Sequence, residues 1–565
     1  MRGMRHFVRH RKGMLNLFLV LAICFSGIAL AKPAANAIAS AHPLATEAGL
    51  EVLAQGGNAF DAAIAVTAAL GVVEPYSSGF GGGGFWLIHR AKDGFETMID
   101  GREIMPKAGH KDIYLDEKGE VNSDLSMNGP MSAGIPGVPA ALVHMAKKYG
   151  RLSLSKSLAP SIRLAKEGFK VDEYYQRLAG FRKSVINRWP EGASLFLKNG
   201  DVPPVGHVIR QPDLARTIES IASKGNKGFY RGEVAEKLVK GVRDAGGLWT
   251  MADMKAYKIK EREPVRGEYK GYKITTAAPP SSGGIALVDM LNILSAYDLD
   301  KMEKVQRAHI IVEAMRRAYR DRAIYLGDPD FVKIPVELLT SPIYAAGQRA
   351  SIHMQKATPS SLLAGFDAPA ESHHTTHFSV LDKEGNRVSA TVTVNYPFGS
   401  GFVAPGTGIL LNDEMDDFSA KPGVPNAYGL VGAEANAVGP HKRPLSSMTP
   451  SFVEGKDSLA ILGTPGGSRI ITMVLLGLLD YVAGNKPESW VKVPRFHHQY
   501  LPDKIFYEDN AFDEIDLDQL KERGHETSKS RFRYGNMQAI LWDKKANKVF
   551  AASDPRAVGE SKVMK

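Results

Sequence analysis

Apolar and polar positions alternate through residues 375–381 (TTHFSVL), apart from Thr376 and Leu381, and through 387–395 (RVSATVTVN). Phe378, Val380, Val388, Ala390, Val392 and Val394 take the even positions. Thr375, His377, Ser379, Ser389, Thr391, Thr393 and Asn395 take the odd ones. A period of two predicts two strands, and the intervening DKEGN is a glycine-containing hairpin loop. Odd positions must pair with odd, because a one-residue slip would turn every side chain to the other face. Leu381 then opposes Arg387, and Thr375 falls opposite Thr393, with directly opposed Cβ atoms about 4.5–5.5 Å apart. The expected hairpin has one apolar face and one wet face, for which threonine is common. It also brings two hydroxyls side by side at its open end.

Helical spacing predicts one helix over residues 44–54, ending at Gly56-Gly57, and an alanine-rich second helix capped by Asn58 and running to Val73. Residues 77–84 (SSGFGGGG) lead into a buried strand at 85–88 (FWLI). The glycine run lacks the Gly-Lys-Ser/Thr ending of a phosphate loop and any dinucleotide fingerprint, so close backbone approach within a sheet is its expected role. From about residue 153 to 350, helical periodicity alternates with polar turns and shows no compelling chemistry, and 279–284 (PPSSGG) reads as a plain loop. Residues 355–374 (QKATPSSLLAGFDAPAESHH) break the composition and read as an exposed, mobile connector, where chain cleavage concentrates.

At 565 residues, 44% hydrophobic and 23% charged, the chain has globular values, and length alone suggests several domains. The net charge of +10 invites a nucleic-acid reading, but half of it sits in Arg2, Arg5, Arg9, Arg11 and Lys12. No zinc-finger or RNA-binding motif accompanies the rest, so nucleic acid is not an expected partner. The basic start precedes an apolar run over 14–30 and the small-x-small triplet Ala29-Leu30-Ala31. Residues 1–31 therefore read as an export signal removed after Ala31, leaving no stable membrane insertion. The single cysteine, Cys24, would leave with it, which suits an oxidising periplasmic or secreted setting.

Seven short motifs then occur in order: QGGNAFDAA at 55–63, DGRE at 100–103, TTHFSV at 375–380, GILLN at 408–412, MDDF at 415–418, RPLSSM at 443–448 and GTPGGSR at 463–469. Together they resemble the γ-glutamyltranspeptidase (glutathione hydrolase) family, over nearly everything after the leader. The resemblance implies an α/β fold, the αββα sandwich of an N-terminal-nucleophile hydrolase. It also implies a precursor that cuts itself between His374 and Thr375, giving a large subunit (32–374) and a small one (375–565) interlocked as one domain.

On that resemblance Thr375 is the nucleophile and Thr393 orients it. An ordinary threonine hydroxyl needs an adjacent base. Cleavage would supply one on the same residue, an α-amine with a reference pKa of about 7.7–8.0. Gly466 and Gly467 match the oxyanion-hole position, where preorganised N–H donors are needed. Arg102, with Ser446 and Ser447, suits a donor's α-carboxylate. Asn395, Glu414 and Asp417 suit its ammonium, the last two on a shared face of a turn or short helix. Residues 422–433, with Tyr428, resemble a lid that shields the acyl-enzyme from water.

The implied reaction passes a γ-glutamyl group from glutathione-like donors through a Thr375 ester to water or to amino acid and peptide acceptors, with no cofactor. His373, His374, His377 and the His497-His498 pair raise a metal reading, but no acid or cysteine completes a set, and His377 reads as a satisfied strand residue. Two rivals stay open: a glutaryl or cephalosporin acylase, whose donors lack the ammonium, and a catalytically inactive binding protein on the same scaffold.

Overall fold

A computed structural model describes residues 32–363, 375–427, 429–530 and 533–565. The leader, the second half of the connector with His373 and His374, and Tyr428 lie outside the described residues. Two antiparallel sheets form the centre. The seven strands of the first run in the order Glu560–Met564, Asn36–Ser40, Thr376–Leu381, Arg387–Thr393, Gly83–Arg90, Phe95–Asp100 and Lys260–Arg262. The six of the second run Lys548–Ser553, Gln538–Asp543, Ser458–Gly463, Ser451–Glu454, Tyr272–Thr276 and Val265–Tyr269.

Helices cover the outer faces. Pro43–Ala54 and Ala59–Val73 pack with the even positions of the hairpin, including Phe378, Val388 and Val392, in one hydrophobic core. Every residue of Ala59–Val73 is buried, so this helix is apolar all round rather than amphipathic. Its start follows the expected chemistry: Asn58 caps it and Asp61 returns the bond to the Asn58 N–H. Gly283–Leu294 and Ile470–Val482 join the core of the second sheet. The layers are thus helix, sheet, sheet, helix. Residues 33–565 form one compact unit, in place of the several domains that length suggested.

The hairpin register is the expected one, with Leu381 opposite Arg387 and Val392 opposite Thr376. Its polar face, however, is not wet: every residue of both strands is buried. That face meets the second sheet, where the Ser379 hydroxyl donates to the Gln538 carbonyl and the Ser389 hydroxyl to the Leu462 carbonyl. The glycine run acts as expected, since a Cβ on Gly81 would lie 2.0 Å from the Leu410 oxygen and one on Gly82 2.0 Å from the Thr393 oxygen.

The connector departs from expectation. Its described half, 355–363, is tied down: Ala357 N–H donates to the Arg523 carbonyl, Thr358 N–H to Glu313, and Ser360 N–H to Asp503. Ser360 is buried beneath Arg316.

Candidate active site

Thr375, Thr393, Asn395, Arg102, Glu414, Asp417, Ser446, Ser447 and Gly467 line one pocket, together with Leu430, Met448, Ser468 and Ile470. They arrive from widely separated stretches of chain, between Arg102 and Ile470. Extending the hairpin register by one pair sets Thr375 against Thr393. The Thr393 hydroxyl accepts the Asn395 N–H at 2.8 Å, which leaves its own proton to donate elsewhere. Asn395 holds a positive φ of 75° and donates its Nδ2 to the Asp413 carbonyl.

Gly466 adjoins the pocket and has φ 143°, while Gly467 has φ 54°. These are conformations that residues with a Cβ rarely adopt, and a Cβ on Gly466 would sit 2.4 Å from Met473. The turn Gly467–Arg469 leads directly into the helix Ile470–Val482. The positive end of a helix dipole therefore lies at this edge of the pocket.

Arg102 is fully buried at the pocket floor. Its Nε donates to the Pro444 carbonyl and Nη2 to the Leu445 carbonyl, each at 3.1 Å. Nη1 also donates to Glu414 and Nη2 to Asp417. Those acids share the turn Glu414–Asp417, the short helix anticipated from their spacing. Spacing along the chain does not predict that Arg102 pairs with these two acids.

Burial raises the Glu414 and Asp417 carboxyls, against the pull of Arg102. Glu103 is buried behind them and lifted well above the carboxylate range by burial and by Glu414. Neither Glu103 oxygen meets a donor, so its contact with Glu414 is a hydrogen bond only when one of the two carboxyls holds a proton. Burial alone would lower Arg102, but Glu414, Asp417 and Glu103 hold it above its ordinary value.

The supporting layer includes residues the sequence reading passed over. Ser446 N–H donates to the Pro280 carbonyl, and Ser282 donates both N–H and hydroxyl to the Ser446 carbonyl. Arg322 Nε in turn holds the Ser282 hydroxyl. The supposedly plain loop at 279–284 is thus the brace of the Ser446-Ser447 segment. Residues 426 and 427 meet the acidic turn: Asn426 Nδ2 donates to Asp417, and Ala427 N–H to Asp416 at 2.9 Å.

His377 is a satisfied strand residue, its Nδ1 2.8 Å from the Thr391 hydroxyl and its pKa pushed down to about 3 by burial. His497 and His498 are also buried, and they bond to different partners, Thr472 and Gln499 for one and Asp503 for the other. Among the described residues, His309, Glu313 and His525 bring possible metal-ligand atoms within 4.8 Å of one another. Those atoms are already engaged: Glu313 accepts from Arg317 and Thr358, and His309 Nδ1 faces His525 Nε2 at 2.8 Å.

Comparison with known proteins bears on the family and the fold. A family model described as gamma-glutamyltranspeptidase matches residues 45–564. The chain is 43% identical to the glutathione hydrolase proenzyme of Escherichia coli (strain K12), over 93% of this chain and 90% of that one. It is 37% identical to the glutathione hydrolase proenzyme of Bacillus subtilis (strain 168), over 90% and 87%. Among solved structures, a cephalosporin acylase from Bacillus halodurans superposes with a TM-score of 0.82 at 28% identity, over 94% of this chain and 96% of that one. The Helicobacter pylori gamma-glutamyltranspeptidase superposes with a TM-score of 0.55 at 40% identity, over 57% of this chain and 93% of that one.

Proposed function

Since the chain belongs to the gamma-glutamyltranspeptidase family, we propose that Thr375 is its nucleophile, freed by self-cleavage after His374, and that the Arg102 pocket selects the donor. The protein is a glutathione hydrolase and γ-glutamyltransferase, made as a precursor of two subunits. Cleavage into subunits of about 32–374 and 375–565 fits the Helicobacter pylori chain, which is covered to 93% by only 57% of this one.

The Thr375 oxygen attacks the donor's γ-carbonyl while its proton passes to the α-amine of the same residue. The oxyanion meets the Gly466 and Gly467 N–H groups at the helix start. The intermediate collapses to an ester on Thr375, and the departing amine takes the proton. Thr393, whose hydroxyl already accepts from Asn395, donates to the Thr375 oxygen and orients it. Water or an acceptor amine, an amino acid or a dipeptide, then opens the ester. The 422–433 segment with Tyr428 governs which of the two reaches it.

One observation carries the donor assignment: Arg102 is neutralised by Glu414 and Asp417 inside the pocket. A γ-glutamyl head brings a carboxylate and an ammonium together. It can insert with its carboxylate on Arg102, Ser446 and Ser447 and its ammonium on Asn395, Glu414 and Asp417, so that every buried charge keeps a partner. A glutaryl head brings only the carboxylate and strands the acids, at the cost of an unpaired buried charge. This argues against the acylase reading despite the 0.82 superposition. The intact Thr375, Thr393 and glycine turn argue against an inactive binding protein.

Residues 1–31 fit an export signal, and no helix among the described residues is long and apolar enough to cross a membrane. A periplasmic or secreted enzyme follows from that reading. N-terminal sequencing of the smaller fragment tests the cut, with Thr375 expected first; full activity from an uncut chain would overturn it. Turnover of γ-glutamyl and glutaryl anilides tests the donor, and faster glutaryl cleavage would reverse the assignment.

A further inference from the structure

Glu74 forms the C-terminal cap of the helix Ala59–Val73, directly under the start of the nucleophile's strand. Its carboxylate accepts the Thr376 hydroxyl at 2.7 Å and the Tyr76 hydroxyl at 3.3 Å. The residue is buried, and no step of the reaction above uses it. The groups facing it are Tyr76 on its own loop, Thr376 on the strand, and Asp172 and Tyr174 at the head of the helix Glu173–Ile186, where Arg177 is turned onto the Tyr174 ring. No lysine or arginine among the described residues acts on Glu74. Burial, reinforced by Asp172, lifts its carboxyl to about 7 against the two hydroxyl bonds.

A buried acid without a cation is costly unless a positive charge arrives. Cleavage before Thr375 creates one. The new α-nitrogen lies about 6 Å along an extended chain from the Thr376 hydroxyl. That places it within about 9 Å of the Glu74 carboxylate, close enough in a buried setting to shift a titration by about one pH unit.

We propose that Glu74 is a positioning residue for the mature enzyme: through the Thr376 hydroxyl it holds the start of the strand, and its carboxylate is the counter-charge of the Thr375 α-amine. The inference rests on Thr375 being the N-terminal nucleophile. In the uncut chain Glu74 is an acid with no cation opposite it; after the cut, amine and carboxylate titrate as a pair.

The test begins with N-terminal sequencing of wild type and variants. If the wild-type fragment does not start at Thr375, the nucleophile reading fails before this one is reached. With that start established, kcat/KM is followed against pH. Its acid limb reports the amine, which must be neutral to accept the hydroxyl proton. Glu74→Gln keeps an acceptor for Thr376 but removes the charge, and the limb should move to lower pH by about one unit. Glu74→Asp keeps the charge and should leave the limb near its wild-type position. A Glu74→Gln enzyme with reduced kcat and an unmoved limb would reduce Glu74 to packing and overturn the proposal. Should Glu74→Gln fail to fold or process, the carboxyl 13C titration of Glu74 decides. Its pKa should be lower in processed wild type than in the uncut Thr375→Ala precursor, and equal values would refute the pairing.

Discussion

Around Arg102 two buried carboxyls, Glu103 and Glu414, and the half-buried Asp417 meet one guanidinium, whereas around Glu313 one buried carboxylate meets two, Arg316 and Arg317. The two clusters contain the same chemistry at similar depth and respond in opposite directions. Burial pushes the Glu313 carboxyl up, but Arg316, Thr358 and Arg317 together hold it below its ordinary value. Burial wins at Glu414 and Asp417. The oxygens differ as well: both of Glu313 accept hydrogen bonds, while Oε2 of Glu414 and both oxygens of Glu103 meet no donor. A cation-rich cluster whose carboxylate oxygens are both hydrogen-bonded fastens chain to chain, here the 355–363 segment to the helix Lys304–Tyr325. An acid-rich cluster on a pocket leaves Oε2 of Glu414 as a spare acceptor, which an incoming ammonium can use while the ligand's carboxylate takes Arg102.

The largest effect should come from a variant that touches neither cluster. Thr375→Ala removes the oxygen proposed to make both cuts, so the purified protein should stay a single chain on a denaturing gel and lose at least about 10³-fold in turnover. Two fragments from this variant would separate self-cleavage from Thr375. Arg102→Ala should come next: processing proceeds, but kcat/KM for γ-glutamyl donors falls by an amount equivalent to about 2–5 kcal/mol, mostly in KM. An unchanged KM would mean that Arg102 serves its own acids and not the donor.

Those two residues were legible in the sequence because each sits in a short motif whose spacing survives without the fold. The hairpin register was equally legible, since period-two alternation and a five-residue loop fix it locally. What stayed hidden depends on pairs far apart in the chain. The polar face of the hairpin reads as wet because its cover, Ser458–Gly463 and Gln538–Asp543, is assembled from distant strands. Ser281 and Ser282 look like loop residues until Ser446, more than 160 positions on, is set against them. Residues 355–363 have a connector's composition, yet Arg316, Asp503 and Arg523 hold them. The Arg102–Glu414–Asp417 pairing could not be read at all, because spacing places the acids on one turn but does not say what they face.

The fastening cluster predicts a different phenotype from the pocket. Arg317→Ala leaves Glu313 with half of its compensation and also removes bonds to Ser351, Thr358 and the Gln348 carbonyl. Breaking a buried pair in this way should cost about 3 kcal/mol in urea unfolding, with KM for the donor unchanged. A raised KM with normal stability would show that the two clusters do not divide the work as described.

The smallest effect concerns pH. The Glu313 carboxyl is held below its unfolded value, so its contribution is complete above the unfolded pKa and is lost as pH falls through the folded one. Glu313→Gln should therefore destabilise the protein at pH 7 and do so less at pH 3, the gap between the two narrowing by about 1 kcal/mol for each unit of depression. Denaturant midpoints of wild type and variant at both values measure it. The pocket acids carry the opposite sign, because carboxyls held above their unfolded value bind protons more readily in the folded state and weaken folding as pH rises through that range. If Glu313→Gln cost the same at pH 3 as at pH 7, the side chain would be contributing shape and hydrogen bonds but no charge, and the electrostatic contrast between the clusters would fail at its better-compensated end.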